Sequence, residues 1–507
     1  MDDHRHSLSL LSQVGQNPAY RSAHSPCIAT LGMEQLERMK LYAAALDFDP
    51  VAEEFGVVRG FEPHIHQEAA TATDRFAAQR EDLSHLPFVT IDPIGSKDLD
   101  QAVLIEATDN GFLVHYAIAD VAAFVQPGSE LEAVSIARGQ TIYLPDAPAR
   151  LHPEELSEDA ASLLAGELRP AVVWSIQLDS LGEVQSSTVR RAMVQSQARL
   201  DYEQTQQDLE AGKLHPSIVH LPEVGRLRQE SALRRDAVNL AIPSQRVVKV
   251  PNEEAGEHYE IVIEPRLPIM DYNSEISLLC GMVAGDMMVQ AGHGLLRTLA
   301  PATPEAEATF RAEAKALGFE IAPEQAIGEF LQGVDPNTPQ GMAIQREAQK
   351  LLRGSGYVSV HNGTPEVHAG VGGYYSHVTA PLRRLIDRFA TEHCLAIATN
   401  TEVPAWVTAV EEQVLESMKF TSIHASQVDN ACLDLAEATV LKFWEGQNFQ
   451  SVVLTSEPEK NQARLFILKP PVLAKCSGAP MQGTHQEVTL VKADVVKREV
   501  LFAWPAD

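Results

Sequence analysis

Residues 90 to 102 read TIDPIGSKDLDQA, and the reading of that stretch decides both the fold and the chemistry of the chain. The run FVTI (88–91) is strand-like and ends at Ile91. Asp92 follows at once, Pro93-Ile94-Gly95-Ser96 has the composition of a tight turn, and Asp98 and Asp100 come directly after it. Carboxylates that flank a tight turn can converge on one point. Oxygen-only ligands of this kind suit Mg2+ or Mn2+, which keep several waters and bridge to phosphate. On spacing alone, a solvated loop or an Asx-turn explains the same residues equally well.

Outward from this stretch, QAVLIEA (101–107) and FLVHYAIA (112–119) are further strand-like runs, separated by the hairpin signal Asp109-Asn110-Gly111. VVWSIQL (172–178) and TVRRAMVQS (188–196) form a second pair around Leu181-Gly182. Helical patterns dominate residues 202–240, a strand HYEIVIEP follows, and a long helical stretch runs through ISLLCGMVAGDMM, 304–317, QREAQKLL and APLRRLIDRFATEHCLA. After Gln447 the runs FQSVVLTS, ARLFILK, EVTLVKA and VVKREVLFAW return to strands and suit a small OB-type β-barrel. Upstream, residues 1–30 read as a flexible tail. Residues 31–86, with a helix expected over 32–46 and a short segment VAEEFGVV, read as a small helical or winged-helix module, or as a helical lead-in that packs on the main domain. The fold class expected is α+β, with a main domain over 87–446 and the barrel over 447–507.

The chain has 507 residues with 40 Lys+Arg against 69 Asp+Glu, a net charge of −29. Hydrophobic residues make up 45% and charged residues 21%, the balance of a folded chain and not of a disordered one. The acidity argues against a general nucleic-acid coat or a binder of anionic membranes, because phosphate attraction needs excess Lys and Arg, but it leaves room for a local basic channel. Cys27, Cys280, Cys394, Cys432 and Cys476 are scattered with no CxxC pair, which argues against a disulfide framework or thiolate zinc and fits a reducing cytoplasm. No window reaches the ~18 apolar residues of a membrane span. The start, MDDHRHSLSLLSQVG, does not read as a secretory signal.

The aspartate stretch resembles the catalytic signature of the ribonuclease II/ribonuclease R (RNB-domain) exoribonuclease family. AIADVAAFVQPGSELEAVSIARGQTIYLPD (117–146), LHPEELSEDAASLLAGELRPAVVWSIQL (151–178), EPRLP, SEISLLCG (274–281) and TAPLRRLIDR (379–388) resemble that family's further blocks in order and spacing, so the likeness runs over about residues 87 to 445. It implies an RNB-type catalytic domain of mixed sheet and helices with an S1/OB-like barrel after it. The implied activity is processive, Mg2+-dependent 3′→5′ hydrolysis of single-stranded RNA to nucleoside 5′-monophosphates, with Mn2+ as an alternative ion. Neither a membrane nor a small-molecule cofactor is implied, and a cytoplasmic monomer is expected.

Position by position, the resemblance assigns Asp92, Asp98 and Asp100 to three of four acidic residues that hold the metal, with Asp100 also catalytic. Gln101 stands where the fourth acid is expected. An amide oxygen can still ligate Mg2+ without bringing charge, so Gln101→Asp is expected to keep or raise activity and to lower the metal requirement. Tyr143 is implied to stack on a base, Tyr202 and Glu275 to tell ribose from deoxyribose, and Arg383 to clamp the scissile phosphate. Taken singly, Tyr143 could be a buried strand tyrosine and Glu275 a polar helix-face residue. Arg384 and Arg388 are candidate phosphate contacts or a basic helix face. A positive channel would draw on Arg190, Arg191, Arg346, Lys350, Arg383, Arg384 and Arg388. The second aromatic clamp implied just before HYEIVIEP has no counterpart in SQRVVKV, and the 86 residues ahead of the catalytic block are too few for two OB barrels. Gln101 alone favours a second reading, a catalytically weak or inactive RNA-binding relative.

Overall fold

The computed structural model of the chain describes residues 44–505, apart from 239, 241–244, 251–257, 264–266, 353, 363, 364 and 366. The expected tail and most of the helix expected over 32–46 therefore lie outside the described residues. So do residues 264–266 of EPRLP.

A twisted sheet built around the aspartate stretch organises the central part of the chain. Its long strands are β1 (Phe88–Asp92), β2 (Gln101–Thr108), β3 (Gly111–Ala119), β4 (Leu168–Asp179) and β5 (Val184–Asp201). The order is β5-β1-β2-β3-β4, and β4 also pairs with β5, so the sheet curls back on itself. This is possible because β5 has 18 residues, enough to run antiparallel to β4 and then parallel to β1. The expected hairpin at 109–111 joins β2 to β3.

Side chains alternate across the pleat and both faces are buried. One face sets Val89, Ile91, Val103, Ile105, Val114 and Trp174 against a helical layer. That layer comprises α1 (Tyr202–Glu210), α2 (Leu221–Arg234), α3 (Pro268–Ala291), α4 (Leu385–Thr399) and α5 (Glu411–Leu441). The other face packs Phe88, Leu104, Ala117 and Val173 on Ile65, Leu83, Leu131 and Leu156.

Three expectations change. The described part of the upstream module holds helices Asp49–Glu54 and Pro63–Thr71 and then the two-residue strand Glu81–Asp82, which joins the edge of β5. The described part of the module is thus fastened to the main sheet, and Ala44 makes an extended bridge to Tyr259 instead of ending a helix. The long helical stretch is interrupted by paired strands at Leu295–Thr298 and Gly356–Ser359. APLRR does not belong to α4, which starts only at Leu385; Pro381 cannot donate within a helix, and residues 379–384 form a turn instead.

At the C-terminal end, β6 (Asn448–Glu457), β7 (Gln462–Leu468), β8 (Pro471–Ser477), β9 (His485–Asp494) and β10 (Glu499–Ala503) close a barrel in the order β6-β7-β8-β10-β9. Strand β8 was not legible in the sequence, because its run PVLAKCS follows Pro470 and is interrupted by Lys475. Among the described residues no helix is long and apolar enough to cross a membrane.

Candidate active site

The site forms where the C-terminal end of β1 meets the start of β2 and the turn before α4. The Pro93–Lys97 turn is closed by Ser96 N–H on the Pro93 carbonyl at 3.1 Å, and Gly95 sits at φ +88°, a conformation other residues rarely adopt. Ser162 pins the far side of this turn. Its hydroxyl accepts from Leu99 N at 3.0 Å and donates to the Lys97 carbonyl at 2.6 Å. Ser162 lies in the ASLLAG run, and nothing in its spacing marks it; only the fold brings it to the aspartates.

The turn sets Asp98 within electrostatic reach of both Asp92 and Asp100. Asp100 is 3% exposed. Its Oδ1 accepts from Leu382 N at 2.8 Å, and its Oδ2 lies 3.6 Å from Arg383 Nε. Asp92 Oδ2 is buried and has no hydrogen-bond partner. Burial first, and then the neighbouring Asp98, push the Asp92 carboxyl up to about 7, while Arg383 and Arg199 pull it down. Burial also raises Asp98, with Glu158 adding to the shift, and holds Asp100 well above the usual carboxylate range. Among the described residues, no three His, Cys, Asp or Glu side chains are drawn together tightly enough to hold a metal ion as they stand.

Arg383 faces this cluster beside Asp100, with 45% of its side chain exposed. Its turn is held from several sides. Gln101 Nε2 donates to the Thr379 carbonyl, Asp387 accepts from Ala380 N at 2.7 Å, and Thr141 N donates to the Arg383 carbonyl at 3.0 Å. The segment leading into the turn can lie on α3 because Gly281 and Gly285 are there. A Cβ at Gly281 would stand 2.3 Å from the Tyr375 ring, and one at Gly285 2.7 Å from Tyr375 N.

Tyr143 is 52% exposed and within electrostatic reach of Asp98, Asp100 and Arg383, so it is not a buried strand tyrosine. Tyr202 opens α1 immediately after Asp201, the register partner of Asp92, and within reach of Asp92 and Arg383. The hydroxyl of Tyr202 accepts from Asn273 Nδ2 at 3.1 Å; Glu275 is not that partner. Glu275 instead lines a separate cavity of about 490 Å3 with Arg235 and His368, whose lining includes none of Asp92, Asp98, Asp100, Arg383 or Tyr202. Burial pushes its carboxyl up to about 7.

Two expected phosphate contacts are corrected. Arg388 is 3% exposed, pairs with Glu132 at 2.8 Å and donates to the Val125 carbonyl at 3.1 Å. Arg384 is held two-pronged by Asp387, at 2.9 and 2.8 Å. Both support the fold, one beneath the sheet and one beneath the Arg383 turn. The other residues expected to line a channel also meet carboxylates. Arg190 pairs with Glu81, Arg191 with Asp120 and Glu392, and Lys350 with Glu347. Arg346 faces the barrel in a cleft that also holds Glu313, Glu347 and Glu457.

With this geometry in place, comparisons with known proteins agree. The RNB domain model matches residues 80–394, and the model for the RNase II-type exonuclease C-terminal S1 domain matches 447–504. Ribonuclease R of Chlamydia trachomatis is 24% identical over 446 residues, covering 82% of this chain and 61% of the relative. Ribonuclease R of Mycoplasma pneumoniae is 28% identical, covering 83% and 60%. The chain thus spans about three fifths of the length of these relatives. Among solved structures, apo RNase R of Mycoplasma genitalium superposes with a TM-score of 0.79 at 18% identity, covering 90% of this chain and 77% of that one. Yeast Ssd1, described as a pseudonuclease, superposes with a TM-score of 0.69 at 15% identity, covering 88% and 58%. The curled sheet with its aspartate turn, the helical layer and the terminal barrel make this chain a member of the RNB family carrying an RNase II-type S1 domain.

Proposed function

We propose that the chain is a 3′→5′ exoribonuclease that hydrolyses single-stranded RNA processively to nucleoside 5′-monophosphates, with Mg2+ or Mn2+ as its ion, acting as a cytoplasmic monomer. The observation that carries this reading is the buried, unpartnered Asp92 Oδ2 within a group of raised carboxylates that faces a half-exposed arginine.

The donor set fits a hard divalent ion. Mg2+ is usually held by one or two carboxylates plus waters and substrate phosphate, so a closed protein cage is not required. Asp92, Asp98 and Asp100 would hold the ion, with the Gln101 amide oxygen beside them. What such an ion supplies when bound is polarisation of the scissile phosphate and a water of lowered pKa. The chain's own residues do the rest. Arg383 offers a fixed charge and a fork of donors to the phosphate oxygens as negative charge builds on them. Asp100 keeps that arginine turned toward the aspartates. Tyr143 presents an exposed ring on which any base can stack. Tyr202, its hydroxyl oriented by Asn273, stands where a 2′-hydroxyl can be satisfied as donor or acceptor.

Gln101, and the likeness in fold to a pseudonuclease, favour a second reading as an RNA-binding relative without turnover. Incubation with 5′-labelled poly(A), Mg2+ or Mn2+ and an EDTA control separates the two. A ladder that shortens from the 3′ end and disappears with EDTA is expected. Full-length RNA after long incubation with either ion leaves only the binding reading.

A further inference from the structure

Two consecutive residues at the start of β2 grip the turn that carries Arg383, and they do so with opposite hydrogen-bonding roles. The Asp100 carboxylate accepts from Leu382 N. The Gln101 amide donates to the carbonyl of Thr379, a residue only 4% exposed. A carbonyl oxygen can only accept, so the nitrogen end of the amide must face it. Further grips on this turn are Asp387 on Ala380 N–H, Thr141 N–H on the Arg383 carbonyl and the His152 ring on the Pro381 backbone. Among these side-chain grips, those from Asp100 and Asp387 suit carboxylates and the one from Gln101 does not.

We propose that Gln101 is a positioning residue whose amide nitrogen, through Thr379, fixes the 379–383 turn and so sets Arg383 against Asp100. The site is built around a donor at position 101 and is not merely short of a fourth acid. An aspartate there would be one methylene shorter and could not donate. It would also place a further negative charge beside a buried carbonyl and three crowded carboxylates. The expectation that Gln101→Asp keeps or raises activity is therefore reversed. The kinetic part of this inference rests on the nuclease reading; the contact itself does not.

The test compares the full-length wild type with Gln101→Met, which keeps length but loses the donor, and with Gln101→Asp. Hydrogen exchange of the 379–384 amides is read alongside turnover of labelled poly(A) with Mn2+. In both variants the Ala380 and Leu382 amides are expected to exchange about tenfold faster, while the β2–β3 hairpin is unchanged. Turnover is expected to fall by about 10- to 100-fold with KM within about threefold, as for a misplaced catalytic group. Unchanged exchange at 379–384, or a Gln101→Asp protein as active as wild type at lower Mn2+, overturns the proposal. If the Met and Asp variants loosen everywhere, Gln101→Glu at alkaline pH decides, because it keeps the length and shape of the side chain and removes only the donor. Faster exchange confined to 379–384 is expected of it, and wild-type protection there also overturns the proposal. Exchange needs no turnover, so a wild type that fails to cleave RNA sinks the nuclease reading while this contact is still decided by the amides.

Discussion

Asp100 serves two purposes with one carboxylate: it accepts the Leu382 amide and faces the Arg383 guanidinium. Asparagine can keep the first contact through its Oδ1 but brings no charge. Asp100→Asn is therefore expected to leave the turn in place and RNA affinity near wild type, while turnover falls by about 100-fold or more. Single-turnover cleavage and filter binding would check this, and a parallel loss of both would mark the residue as structural. Tyr143 is a contact of another kind. Tyr143→Ala removes a stacking surface worth about 1–3 kcal/mol, so the Kd for a short oligonucleotide should rise by about tenfold, with turnover at saturation largely kept. The aspartates and Tyr143 were legible as residues because their signals are local: acids around a turn, and an aromatic in an ordered block. Ser162, Thr379 and Asn273 were not, because each acts on a site residue far away in the chain.

The elements that present these residues are tied together by buried polar groups. Arg388 and Arg75 both lie on the Trp406 ring, 4.8 and 4.9 Å from its centroid, and Arg388 pairs with Glu132 from the helix Glu130–Arg138. Removing one partner leaves the other charge buried and unpaired. Arg388→Ala should thus destabilise by about 3–5 kcal/mol in urea unfolding, with RNA affinity of the folded protein unchanged. Weaker RNA binding at unaltered stability would restore Arg388 to the RNA path. Glu437 joins three elements: on α5, it accepts from Gln245 Nε2 at 3.0 Å and from Leu473 N of β8 at 3.4 Å. Burial pushes its carboxyl up to about 8. With the folded pKa above the unfolded value, the folded state holds the proton longer, so stability falls as pH rises from about 4.5 to about 8, by up to about 1.4 kcal/mol per pH unit, and is level outside that window. Glu437→Gln should flatten that slope. Identical pH dependence of Tm in the two proteins would contradict a buried neutral carboxyl. None of these ties was legible, since an Arg or Glu on a helix reads the same whether it meets solvent or a buried partner.

Over the whole molecule, a net charge of −29 surrounds a site whose aspartates face the half-exposed Arg383 and the exposed Arg199. Most of the arginines expected to line a channel are paired with carboxylates, so few phosphates can be neutralised. Each contact contributes about −0.7 to the slope of log affinity against log salt on single strands, so a shallow slope of about −1 to −2 is expected. A steep slope in a salt titration would mean that a basic path exists beyond these residues. What the sequence by itself determined was the strand, turn and acid pattern around Asp92, the β2–β3 hairpin, the barrel after 447 and the kinship that their order revealed. These depend on local periodicity, turn chemistry and block order, all of which are written along one chain. What only the tertiary structure decided was which charges stay free. Arg383 remains half-exposed because its turn is held by Gln101, Asp100 and Asp387, whereas Arg388 and Arg191 are consumed by partners from distant segments and Arg384 by Asp387 in the helix that adjoins it. The difference arises because a charge can stay buried only beside a partner, and which partner it meets is set by packing, not by spacing.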